Sequence, residues 1–356
     1  MKVIIFAGGT GKRFWPVSRI DSPKQFLPII EETPLVRLAF ERLNKQFKPE
    51  DVFISTGKKY ETEVKSILHE LPDENFILEK EMRDTGPAVA LAVTYVSSKF
   101  PDEVIAVLWS DHLVKDPDTF LECLLKSEEN VKSQNKIVFI TVPARFPSPH
   151  RGYIKFNEDI KKYSDKIILK EFNKFVEKPT VELAEEYIKD GHYGWNPGYW
   201  VAYGKDFLNI TARKRPEYIE VSKEITDSNF KSGWDKFSNL EKISADYAFA
   251  ELVQSDEALC MYSDFGWSDV GEWIALKESL EESEEANVIK GNVFDMGSRD
   301  SIIHNYEEKK LVSTINLDGF VVVNTKDVVA IFKKTDNTKI KEYLKKLEEA
   351  GLTEYL

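Results

Sequence analysis

The chain has 356 residues, 42% of them hydrophobic, which is enough apolar material for one large α/β domain and a smaller one. A formal net charge of −12 excludes a general nucleic-acid or acidic-membrane surface but leaves room for a local basic cleft that takes a small phosphorylated ligand. Two isolated cysteines and five scattered histidines make neither a disulfide framework nor a metal cluster, and with no bilayer-length apolar run and no signal-peptide pattern a cytoplasmic location is expected.

Residues 3–6 (VIIF) form an apolar run that empties into glycines 8, 9 and 11, the pattern of a buried parallel strand ending in a loop. Gly8, Gly9, Thr10 and Gly11 offer backbone N–H groups that can close around a polyphosphate, and Lys12, Arg13 and Lys24 add positive charge. A P-loop would need glycine where Phe6 stands and Ser or Thr where Arg13 stands, and a dinucleotide fingerprint would need glycine where Phe14 stands. The glycines alone would equally suit a plain turn closing a strand.

Helical spacing follows at Leu35, Leu38, Ala39, Leu43 and Phe47, then a strand over 52–55, a helix burying Val64, Ile67, Leu68 and Leu71, and a strand over 76–78. This alternation predicts a mostly parallel sheet with helices on both faces and ligands beyond the C-terminal strand ends. Asp84 or Thr85 can cap an Ala/Val-rich helix with Pro87 in its first turn. The strand over 104–108 delivers Asp111, well placed to hold Mg²⁺, although an Asp after a strand is often just a helix cap. A strand over 137–142 precedes a proline-containing loop that ends at Gly152 and Tyr153, and residues 157–166 read as solvated.

FNKFVEKP (172–179) places Glu177, which can accept from vicinal sugar hydroxyls, beside Lys178, which can meet a phosphate. Thr180 caps a helix that stops near Gly191, and WNPGYW (195–200) follows. Residues 244–252 suggest a helix and 259–262 a strand, ahead of FGWSDVGEW (265–273), in which Asp269 is a candidate second metal carboxylate. Beyond residue 287 the rhythm changes to short strands and a terminal helix marked by Ile340, Leu344 and Leu347, so the expected organisation is a catalytic domain over 1–286 and a small β domain with its helix over 287–356.

Read together, AGGTGKRFWPVSRIDSPKQF, RDTGP, SDH, VEKP, WNPG and WSDVG resemble, in order, the motifs of the sugar-nucleotide pyrophosphorylases, in the mannose-1-phosphate guanylyltransferase branch. The sequence departs from that pattern at Lys12, Asp84, Gly86 and Pro197. The resemblance implies a Rossmann-like, mixed, mostly parallel sheet of the GT-A kind, with a left-handed β-helix-like C-terminal module that supports a homodimer. It implies GTP and mannose 1-phosphate as substrates and Mg²⁺ as cofactor, held by Asp111 and Asp269. Arg13 and Lys24 become the catalytic candidates. Gly8, Gly9, Thr10, Gly11, Lys12, Arg83 and Asp111 become the nucleotide candidates, and Gly152, Tyr153, Glu177, Lys178 and Asn196 the sugar-phosphate candidates. The alternatives are a glucose-1-phosphate nucleotidyltransferase using another nucleotide and a non-catalytic regulatory subunit that binds a sugar nucleotide.

Overall fold

The computed structural model describes residues 1–9, 12–19, 21–30 and 32–356, with Lys12 described by its backbone alone. By packing, the chain forms two compact units: residues 1–8, 39–110 and 114–267, and residues 9–38, 111–113 and 268–356. This is a different division from the one at 286/287, which marks where the α/β rhythm gives way to short strands.

The first unit is built on a ten-stranded mixed sheet. Its strands are β1 (Lys2–Phe6), β2 (Val52–Gly57), β3 (Phe76–Glu79), β4 (Val104–Trp109), β5 (Ile137–Pro143), β6 (Tyr153–Lys162), β7 (Ile167–Val176), β8 (Tyr193–Trp195), β9 (Trp200–Tyr203) and β10 (Ala258–Ser263), in the spatial order β10-β7-β6-β8-β5-β9-β4-β1-β2-β3. The run β3-β2-β1-β4 is parallel, and β5 pairs β10 in parallel, while β9 meets β4 and β5 antiparallel. Val3, Ile4 and Ile5 are wholly buried, as are Val104 to Val107, which is why these strands read as continuous apolar runs.

The order reverses at β1, which has β2 on one side and β4 on the other, with Phe6 opposite Trp109. The segments carrying Gly8 and Asp111 therefore leave from neighbouring strand ends, at a topological switch point. Helix α1 (Thr85–Lys99) starts at Asp84, whose Oδ1 accepts from Thr85 N–H at 2.7 Å, and it runs through an almost fully buried face from Gly86 to Val96. It shares one apolar cluster with Phe207, Ile210, Tyr218 and Ile225. Residues 157–162 are exposed, as expected, yet they belong to β6, half of a long hairpin with β7.

In the second unit, β11 (Val288–Lys290), β13 (Ile302–Asn305) and β15 (Phe320–Asn324) stack in parallel through Val288, Ile302 and Val321, and β12 (Val293–Met296) stacks on β14 (Val312–Ile315). β16 (Val329–Lys333) closes against β15 antiparallel. Successive coils are linked by Asn324 Nδ2 donating to Asn305 Oδ1 at 2.7 Å, the kind of side-chain ladder that a β-helix-like stack allows. The terminal helix, Ile340–Glu349, buries Ile340 and Leu344 in the cluster that also holds Phe14, Trp273, Val288 and Ile302. Among the described residues no helix is long and apolar enough to cross a membrane.

Candidate active site

The glycine turn begins with Gly9 at φ 115°, a backbone conformation that an L side chain rarely adopts, and a Cβ there would stand 3.1 Å from Gln25 Nε2. Thr10, Gly11 and the Lys12 side chain lie outside the described residues. The Phe-Trp pair that follows is structural: Phe14 is fully buried edge-on to Trp273, whose Nε1 donates to the Trp15 carbonyl at 3.2 Å.

Lys24 is the centre of the second unit's polar cluster. Its buried ammonium meets Asp111 Oδ2 at 2.7 Å and donates to the Val270 carbonyl at 3.0 Å. One ammonium thus ties the loop carrying Asp111 to the residue next to Asp269, bringing together three groups that are far apart in sequence. Burial alone would raise the Asp111 carboxyl; the Lys24 charge and hydrogen bond, with His112, outweigh it and hold the group below the usual carboxylate range. Arg13 is exposed and shares the surroundings of Gly271 with Asp269: a Cβ on Gly271 would lie 3.4 Å from Arg13 Nη1 and 4.0 Å from Asp269 Oδ2. Among the described residues no three His, Cys, Asp or Glu side chains converge as a metal cage. A cation at Asp111 and Asp269 would complete its shell with phosphate oxygens or water, which is the habit of Mg²⁺, and this hard-oxygen donor set fits it.

The first unit carries a separate cluster at the end of β7. Glu177 is nearly buried and pairs with Lys178 Nζ at 2.5 Å. Lys178 has φ 45°, a strained conformation for a lysine that turns its side chain back onto its neighbour. Burial, the largest single influence, would lower the Lys178 ammonium, but the Glu177 hydrogen bond and charge, with Asp246 and Tyr247, together outweigh it and the net shift is upward. Gly152 leaves no room for a side chain beneath this pair without a shift, since a Cβ would come within 2.7 Å of Glu177 Oε2 and 2.8 Å of the Phe175 ring.

Asn196 is held rather than loose. Its Oδ1 accepts from Gly198 N–H at 3.0 Å and Trp200 Nε1 at 3.4 Å, and its Nδ2 donates to Asp246 Oδ1 at 3.1 Å. Tyr153, beside Gly152, has a fully buried side chain whose hydroxyl accepts from Ser148 N–H at 2.8 Å and donates to the Ser148 carbonyl at 3.2 Å, which ties the loop to the start of β6. Arg83 gives Nε and Nη2 to the Leu240 carbonyl, at 3.1 and 2.6 Å. Gly86 has a local reason: a Cβ there would strike the Ile243 carbonyl at 2.7 Å, beside the bond from Gly86 N–H to that oxygen.

Two ionisable residues escaped the sequence reading. Asp246 is pushed up to about 7, by burial first and then by the charge of Glu177, with Lys178 pulling the other way. Glu79, at the C-terminal end of β3, is pushed up to about 8 by burial, against a hydrogen bond from Ser55 Oγ at 3.4 Å. An acidic residue ending the apolar FILE strand was the available signal for Glu79; Asp246 looked like any residue in a helix's first turn.

A glycine turn ending one parallel strand and a lysine-held carboxylate following its neighbour mark an α/β protein that handles phosphorylated ligands. The chain belongs to the nucleotidyl transferase family, whose model, described as Nucleotidyl transferase, matches residues 2–286. It is 30% identical to a mannose-1-phosphate guanylyltransferase of Escherichia coli K12, over 99% of this chain and 74% of that protein. It is 31% identical to the alginate biosynthesis protein AlgA of Pseudomonas putida, over 99% of this chain and 72% of that protein. Among solved structures, one from Thermus thermophilus described as a mannose-1-phosphate geranyltransferase superposes with a TM-score of 0.86 at 27% identity, covering 98% of this chain and 99% of the other.

Proposed function

We propose that this chain is a mannose-1-phosphate guanylyltransferase, joining GTP and mannose 1-phosphate to give GDP-mannose and pyrophosphate. The observation that carries the reading is the buried Lys24 ammonium fixed between Asp111 and the residue after Asp269, in a chain with a relative of that name matched over 74% of the relative's length.

A sugar 1-phosphate has a second pKa near ~6, so at neutral pH its oxygen is already an anionic nucleophile and needs no protein base. The chain's task is then to position two polyanions and to stabilise charge at the α-phosphate and on the leaving pyrophosphate. Lys24 serves the second task with an ammonium held in place before substrate arrives, so little reorganisation is spent during reaction. Arg13 and the backbone at Gly8 and Gly9 hold the β- and γ-phosphates. Glu177 accepts from sugar hydroxyls while Lys178 meets the sugar phosphate. Mg²⁺ held by Asp111 and Asp269 would supply screening of the phosphate charges. Two buried, unpaired cysteines suit a cytoplasmic setting.

The assay that tests this reading crosses four nucleoside triphosphates with mannose, glucose and N-acetylglucosamine 1-phosphates and follows pyrophosphate. GTP with mannose 1-phosphate is the expected best pair; a clear preference for another nucleotide or sugar would contradict the assignment. Gly152→Ala is expected to displace the Glu177 carboxylate and raise KM for the sugar phosphate by about tenfold while leaving KM for GTP in place. Initial rates with each substrate varied in turn check this, and an unchanged KM for the sugar phosphate would remove Glu177 from the sugar's contacts.

We also propose a homodimer formed by the C-terminal strands. Phe294, Met296 and Ile315 on β12 and β14, with Val329 and Ile331 on β16, are outward-facing apolar side chains, Phe294 being 64% and Ile331 61% exposed. Apolar side chains this exposed are costly to leave in water, and a second copy offers the same side chains to cover them. Phe294→Glu combined with Ile331→Glu should halve the mass seen by light scattering at micromolar concentration. A wild-type protein that is already monomeric there would contradict the dimer.

A further inference from the structure

Asp246 sits in the first turn of a short helix, Ala245–Ala248, whose start is pinned by Ala245 N–H donating to Thr85 Oγ1 at 2.8 Å. The carboxyl is delivered by a chain of fixed groups: Gly198 N–H and Trp200 Nε1 lock the Asn196 oxygen, and the Asn196 amide then holds Asp246 Oδ1. Burying a carboxyl costs free energy, and a purely structural partner for Asn196 could be a serine or an amide that carries no charge. Here a second nearly buried carboxyl, Glu177, lies within electrostatic reach, with Lys178 as the cation both of them feel. Tyr247, Glu251 and Lys214 also belong to the titratable surroundings, the first acting on Lys178 and the second sensing both Glu177 and Lys214. One lysine offsets one negative charge, so the carboxyl pair is least costly when it keeps a single proton. A carboxylic acid beside a carboxylate offers one donor and one acceptor, the complement of two adjacent hydroxyls on a sugar ring.

We propose that Asp246 is a specificity-determining residue for the sugar, its carboxyl acting with Glu177 on adjacent hydroxyls of the hexosyl ring while Asn196 positions it. This rests on the reading that a hexose 1-phosphate is the substrate, and it gives Asn196 a supporting role in place of a direct contact. Below about pH 7 Asp246 keeps its proton and donates; above it the group ionises beside Glu177 and the donor is lost. Sugar-phosphate binding should therefore weaken as pH rises through that range, with GTP binding unaffected.

The test uses the full chain with Asp246→Ala and Asp246→Asn. The alanine variant should raise KM for mannose 1-phosphate by about tenfold or more, keep KM for GTP within about twofold, and reduce discrimination against glucose 1-phosphate. Asparagine retains the acceptor for Asn196 and carries a permanent donor, so it should recover most of that loss and abolish the rise in sugar-phosphate KM above about pH 7. Equal effects on both KM values, no effect on either, an asparagine variant as impaired as alanine, or an alkaline rise that persists in the asparagine variant would each overturn the proposal. Wild-type protein that turns over no hexose 1-phosphate would overturn the functional reading as well, whereas normal wild-type turnover with indifferent variants overturns this inference alone.

Discussion

Lys24→Ala is expected to lower kcat by about 10²- to 10³-fold with a much smaller change in either KM, because in the proposed mechanism the lost ammonium serves charge that develops as pyrophosphate leaves. Its position explains the size of the effect. Nζ is fixed by Asp111 Oδ2 and the Val270 carbonyl and lies 5.8 Å from the centre of the Phe14 ring, so the charge is aimed in advance and partly shielded from water. Arginine should not rescue it. A planar fork does not fit a pocket shaped for one compact ammonium between a carboxylate and a carbonyl. Steady-state rates with both substrates saturating check the prediction, and a Lys24→Ala enzyme within tenfold of wild type would rule out the role.

Asp111→Asn is expected to cost turnover by about 10³-fold, with no recovery on raising Mg²⁺, since in the proposed site the substitution removes a carboxylate that would hold the cation and that pairs with Lys24. It should also cost stability. Lys24 is buried and would lose its only anionic partner described within ion-pair distance, a penalty on the order of 1–3 kcal/mol, moderated by the partial exposure of Asp111. Combining Lys24→Met with Asp111→Asn should then give a protein more stable than Asp111→Asn alone, because the stranded charge is gone. Thermal unfolding of the two singles and the double measures that coupling. A double variant less stable than both singles would contradict it.

The sequence made the parallel strands legible because strands buried on both faces are continuous apolar runs, and it made the glycine turn legible because Gly9 adopts a backbone angle that a side chain would oppose. Caps were readable for the same local reason, Asp84 and Thr180 each accepting a bond from the first turn of the helix they start. What could not be read was convergence. No spacing rule links Lys24 to the Val270 carbonyl, or Asn196 to Asp246, since those contacts form only once the sheet and its loops are folded. The β6–β7 hairpin was hard to see for a different reason: residues 157–162 are solvated on both faces and carry no alternating pattern. The bonds between the Tyr153 hydroxyl and the Ser148 backbone are of the same kind, a loop contact that the Gly-Tyr pair does not announce.

In the proposed mechanism the sugar phosphate itself is the nucleophile, and the protein contributes fixed charge and position with no covalent intermediate. The most direct test is the stereochemistry at phosphorus when GTP carrying sulfur at the α-phosphate, of known configuration, is turned over with mannose 1-phosphate. A single in-line displacement predicts inversion in the GDP-mannose analogue formed. Retention would mean that an enzyme side chain attacks first, and the mechanism described here would be wrong.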